Sequence, residues 1–152
     1  MERGAADEIA AAWSRVDRLE GSDQRTSWLV EFLVDVVPEP EVWAIARAPL
    51  IVDAELRALV AFEVVVLAER AVYRVAETSD GLDANGFRCI ETLLEQVVVS
   101  VVQLPLRPGE EGTPPERSWI VQVGQLALRP SDGEQVAELG RRVVAARPWP
   151  PV

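Results

Sequence analysis

The run FEVVVLAERAVYRV, residues 62–75, constrains this chain more than any other stretch. Its alanine, leucine, glutamate and arginine are good helix formers, so one long helix over 55–77 competes. Val64, Val65 and Val66, however, are three consecutive β-branched residues, which prefer a pleated surface. Beyond Ala68–Glu69–Arg70, Val72 and Val75 flank Tyr73 in a second strand-like run. The pattern therefore predicts a hairpin. In its first strand, Phe62, Val64 and Val66 face one way and Val65 and Leu67 the other, as expected of a strand covered on both faces. The second strand reads as half-exposed, with Arg70, Val72 and Arg74 on one side and Ala71, Tyr73 and Val75 on the other.

The hairpin divides the chain. Before it, Ile9, Trp13, Val16 and Leu19 follow helical spacing, and Gly21–Ser22 breaks the pattern. Ser22 or Asp23 can cap a second helix carrying the stripe Trp28, Leu29, Phe32, Leu33 and Val36. Pro38 and Pro40 end it. Residues 1–40 thus form a helical segment.

After Pro40 the pattern shortens to alternation. Strands are predicted over 41–48, 62–68, 70–76, 86–94 and 96–104. A hairpin follows at 118–128, turning at Gly124–Gln125. Polar loops lie at 79–86 and 105–118. Ser131–Asp132–Gly133–Glu134 has the capping-box spacing for a last helix. That helix carries Val136, Leu139, Gly140, Val143 and Val144 on one face, and Pro148 stops it. The expected class is α+β: N-terminal helices, a seven-stranded antiparallel barrel or two-sheet sandwich over 41–147, a C-terminal capping helix, and a Pro-rich tail at 148–152.

Composition narrows the chemistry. A chain of 152 residues with 49% hydrophobic content can build a core without metals or disulfides. It has no histidine and a single cysteine, Cys89. A disulfide within the chain, a cysteine-based zinc site and histidine-activated nucleophiles are all excluded. No cofactor or metal is expected, and no catalytic residue stands out. The net charge is −10, and every cation is arginine. Such acidity argues against nucleic acid as a partner, and against membrane lipid. The first forty residues hold nine acids and four arginines, half of the net charge. The longest apolar runs are far short of a membrane span, and the N-terminus has acids where a signal peptide would be apolar, so a cytoplasmic protein is expected.

Several parts of the chain resemble bacterial pleckstrin-homology-like (PH-like) domains. Val64 to Tyr73 is similar to the hairpin between their second and third strands, where an apolar strand meets a Thr-Asp/Glu-Arg-Arg type turn. Here Ala68 stands in place of the threonine and Ala71 in place of the second arginine. Val98-Val99-Ser100-Val101 is similar to their V-x-S-V strand. The final strand pair and the helix from Ser131 to Ala146 resemble their ending. The resemblance implies a binding or assembly module, often oligomeric, rather than an enzyme. The basic cluster with which eukaryotic relatives bind phosphoinositides does not carry over, since residues 47–58 set Arg47 and Arg57 against Asp53 and Glu55.

Candidate residues are few. Glu63, Glu69, Glu77, Glu91 and Glu95 could supply paired carboxylates, although solvated turns and strand ends explain most of them. Glu63 sits inside an apolar strand, and if buried it needs a cation, Arg74 or Arg88. Without a histidine, Cys89 reads as a small core residue, and Ser100 as core or edge. Trp28, Trp43 and Trp119 are expected to fill the core. Interface candidates are Trp28, Leu29, Phe32 and Leu33, which cover either their own barrel or another chain, and Trp149 in the tail. Three functions fit: a PH-like module for protein–protein contact or self-assembly, a small α+β barrel whose carboxylates serve a ligand or enzyme pocket, and an acidic inhibitor or immunity protein for a basic partner.

Overall fold

A computed structural model describes residues 1–16, 22–48, 51–52, 58–59, 62–77, 86–105, 108–114 and 116–148. Helix α1 (Arg3–Val16) buries Ala6, Ile9, Ala10 and Trp13, an i, i+3, i+4, i+7 stripe. Helix α2 (Ser22–Val36) buries Arg25, Leu29, Val30 and Leu33. The two alanines of α1 leave room for the helices to pack closely. Both helices lie on the chain's own sheet.

That sheet has four antiparallel strands, β1 (Val42–Arg47), β4 (Phe62–Ala68), β5 (Ala71–Glu77) and β6 (Phe87–Leu93), in the order β1-β4-β5-β6. Trp43 pairs with Val66, Val66 with Tyr73, and Tyr73 with Glu91. Two short strands, β2 (Ile51–Val52) and β3 (Ala58–Leu59), pair with each other between β1 and β4, where the sequence pattern predicts no strand. A second sheet holds β7 (Val98–Gln103), β8 (Arg117–Val123) and β9 (Leu126–Leu128), in the order β7-β8-β9. A short 3₁₀ turn, Leu94–Gln96, carries the chain from one sheet to the other.

The expected barrel is therefore not closed. Four strands and three strands form two antiparallel sheets, and among the described residues no strand of one pairs with a strand of the other. Helix α3 (Glu134–Ala146) packs on β1 and β8 and closes the space between them with Val136, Leu139 and Val143.

Two cores result, and β4 belongs to both. Val65 and Leu67 join Ala44, Ala46, Val72, Val121, Val123, Leu126 and Leu128 between the sheets. Val64, Val66 and Ala68 join Ile9, Trp13, Leu29 and Leu33 beneath the helices. Six successive residues, Glu63 to Ala68, are buried, the pattern of a strand covered on both faces. β5 departs from its expected half-exposure. Val72 and Arg74 face the second sheet while Tyr73 and Val75 face the helices, so its first five residues are at least half covered. The reason is the helix pair, which covers the sheet's outer face.

The turns show how local sequence is accommodated. β4 and β5 are joined at Glu69–Arg70, and Glu69 takes φ 51°. A left-handed conformation in a residue with a side chain costs roughly 1 kcal/mol. The β8–β9 turn uses Gly124 at φ 57°, as its glycine suggested. The expected capping box is absent. Pro130–Asp132 forms a 3₁₀ turn, and Gly133 at φ 128° is the N-cap of α3. Ser131 thus lies too early to reach the first free amide of the helix. Farther along, Gly140 meets the Trp119 ring so closely that a Cβ there would stand 2.0 Å from a ring carbon.

Candidate functional site

Pairing places Arg74 opposite Val65, so Glu63 is its diagonal neighbour on the face between the sheets. Arg74 Nε donates to Glu63 Oε2 at 2.9 Å and Nη2 donates to Oε1 at 3.0 Å. The residues are 4% (Glu63) and 5% (Arg74) exposed. This bidentate geometry occupies both carboxylate oxygens, as a buried charge requires. Arg74 Nη1 also points at the Val123 carbonyl, 3.4 Å away. The same nitrogen would lie 3.0 Å from a Cβ at position 124, so Gly124 leaves the space for this approach. The pair thus ties β4 and β5 to the end of β8. Arg88, the other cation considered for Glu63, pairs across from Ala76 and is exposed. The carboxylate is thus buried and paired through both oxygens, with Arg74 linking it toward the second sheet.

A second pair was not expected. Arg25 of α2 donates through Nε to Glu77 Oε1 of β5 at 2.7 Å and through Nη2 to Oε2. Its guanidinium also lies 5.1 Å from the centre of the Trp13 ring, within cation–π range. Trp13 in turn meets Phe87 edge-on at 5.9 Å, and Phe32 lies 6.0 Å from the same ring. A signal for Arg25 was present: it begins the i, i+4, i+8 row that continues as Leu29 and Leu33. A charged residue on a buried row needs a partner.

The remaining candidates do not converge. Glu69, Glu91 and Glu95 are exposed and Glu77 is paired with Arg25. Among the described residues no group of three or more cysteine, aspartate or glutamate side chains is placed to hold a metal ion. Cys89 is half-buried on the helix face of β6. Burial pushes its thiol pKa up, and the nearby Glu91 adds to the effect. That is opposite to the activation a nucleophile needs. Burial likewise raises the Tyr73 phenol, with Glu91, Glu69 and Cys89 contributing.

The interface candidates separate. Leu29 and Leu33 are fully buried in the chain's own core, and Phe32 is half covered beside Phe87. Trp28, also expected as a core residue, stays 38% exposed with Val36 at 47%. Phe32 lies between them, at i+4 from one and i−4 from the other. Trp43 and Trp119 do pack against the two cores. Trp149 lies outside the described residues. Among those residues the most exposed large apolar side chains are on β7, Val101 at 71% and Val98 at 56%, with Val102 in the same strand and Leu104 just after it. Ser100, between them, is exposed on this edge strand.

Among the described residues no helix is long and apolar enough to cross a membrane. Comparison with family models, curated proteins and solved structures finds no match to this chain.

Proposed function

We propose that the chain is a non-catalytic, PH-like module of the cytoplasm that mediates protein–protein contact or self-assembly. The observation that carries this reading is the strand order. Four strands in the order β1-β4-β5-β6, a switch at Leu94–Gln96, three strands β7-β8-β9 and a closing helix are compatible with such a module. The β2–β3 pair is then an insertion in the first inter-strand loop.

Two further features support a binding role. The space between the sheets is filled by valine, leucine and alanine side chains, and the Glu63–Arg74 pair within it is closed on itself. Exposed apolar residues, by contrast, gather on α2 and on β7. Such surface is more useful for contact than for chemistry. The test is purification of the full chain from its native host, with mass spectrometry of whatever accompanies it. One stoichiometric partner, or a defined oligomer of the chain itself, is expected. A lone monomer that turns over a small molecule would overturn the reading.

A further inference from the structure

Among the described residues β7 is an edge strand, and its open side has three properties that fit together. First, it lacks protection. Natural edges usually carry charges, proline or a covering element. Residues 97–105, VVVSVVQLP, contain no charged side chain, although the chain as a whole carries −10. Proline appears only at 105, beyond the strand.

Second, the backbone has a defined phase. Leu104 N donates to Glu116 O at 2.8 Å, and every β7 residue pairs with β8 in that same alignment. Antiparallel pairs alternate between hydrogen-bonded and non-hydrogen-bonded. Even-numbered residues of β7 therefore turn their amides and carbonyls toward β8. Val99, Val101 and Gln103 turn theirs outward.

Third, the side chains are self-complementary about Ser100. Val98-Val99-Ser100-Val101-Val102 reads the same in both directions. In an antiparallel pairing with a second copy centred on Ser100, Val99 lies opposite the other copy's Val101, and both have outward-facing backbone groups. Each such pair exchanges two hydrogen bonds, and the two-fold axis generates the pair twice. Val98 then meets Val102 on the outer face, and the two serines meet at the axis. Phase and side-chain symmetry thus select the same alignment, and it covers the most exposed valines among the described residues.

Resting on the assembly reading above, we infer that β7 is the contact by which two copies of this chain associate. The dimer carries one continuous six-stranded sheet, β9-β8-β7 running into β7-β8-β9 of the second copy. Like charge on the two copies opposes this, but exposed charges farther apart than the Debye length of about 8 Å at physiological salt are largely screened, and the strand itself is neutral. Added salt therefore strengthens the dimer.

The test uses the full chain in sedimentation equilibrium, with variants chosen to spare the monomer. Val101→Pro removes an outward amide, which β8 does not use, at an edge where proline is tolerated. Loss of the dimer with an unchanged urea midpoint is expected. In a Cys89→Ala background, Ser100→Cys places two thiols at the axis, where paired Cα atoms stand about 4.5 Å apart and a disulfide can close. Mild oxidation should cross-link this variant. Val98→Cys should not cross-link, since its two copies lie four residues apart along the strands, roughly 13 Å. A chain that stays monomeric at every concentration and never cross-links overturns the inference. A dimer that survives Val101→Pro, or that cross-links through Val98→Cys rather than Ser100→Cys, also overturns it, while leaving the assembly reading in place.

Discussion

In β4 six consecutive residues, Glu63 to Ala68, are buried, whereas in β7 every residue but Val99 is exposed. The two strands are close in composition: VVVLA in one, VVSVV in the other. Their difference lies in what surrounds them. β4 is an inner strand with helices on one face and a second sheet on the other. β7 is an edge strand whose sheet, among the described residues, is packed on one face only. Fully burying a valine is worth roughly 1.5–3 kcal/mol relative to leaving it exposed. The same residue type therefore stabilises the monomer in one strand and is held in reserve in the other.

The charge inside β4 separates the two strands most strongly. Glu63→Ala leaves Arg74 buried without its carboxylate and should cost about 3–5 kcal/mol in urea unfolding. Joint replacement by Glu63→Leu and Arg74→Met should recover most of that loss. A single substitution costing under about 1 kcal/mol, the range of an exposed pair, would mean that water reaches the site. Next in size is the direct contrast between strands. Leu67→Ala should destabilise the fold by about 2–5 kcal/mol, whereas Val101→Ala should change it by no more than roughly 0.5 kcal/mol at dilute concentration. Equal losses would remove the distinction drawn here.

The smallest effect concerns pH. Folding raises the Cys89 and Tyr73 pKa values, so the native chain holds these protons more tightly than the unfolded chain. The unfolded thiol ionises near about pH 8.5. Stability from this source is complete below that value and falls as pH rises through the native pKa. The urea midpoint should therefore drop above about pH 8.5, and less so in Cys89→Ala. An identical drop in both chains would assign the effect elsewhere.

Much of the fold was legible because its signals are local. Valine runs, proline stops and the Gly124 turn place most strands to within a residue or two. The α2 stripe likewise marks its buried face through Leu29 and Leu33. The Glu63–Arg74 partnership was readable from an acid inside an apolar strand and a cation at the right distance across a hairpin. What failed to show depended on distant covering. The covering of β5 on both faces needs the helices above it, and the exposure of β7 needs the knowledge that it ends a sheet. The Arg25–Glu77 pair joins residues 52 apart, beyond any periodicity. The false capping box failed for another reason. Gly133, in a backbone conformation of its own, takes the N-cap position two residues after Ser131, and α3 starts at Glu134.

The buried pair has one more consequence, for how β4 finds its place during folding. Val64, Val65, Val66 and Leu67 are nearly interchangeable in size and polarity, so apolar contact alone discriminates poorly between the native alignment and one slipped by a residue. Slippage by one would carry Glu63 to the helix face and separate it from Arg74, leaving two uncompensated charges in the interior at a cost of several kcal/mol. A single acid among valines thereby turns a greasy, repetitive strand into one with a unique seat.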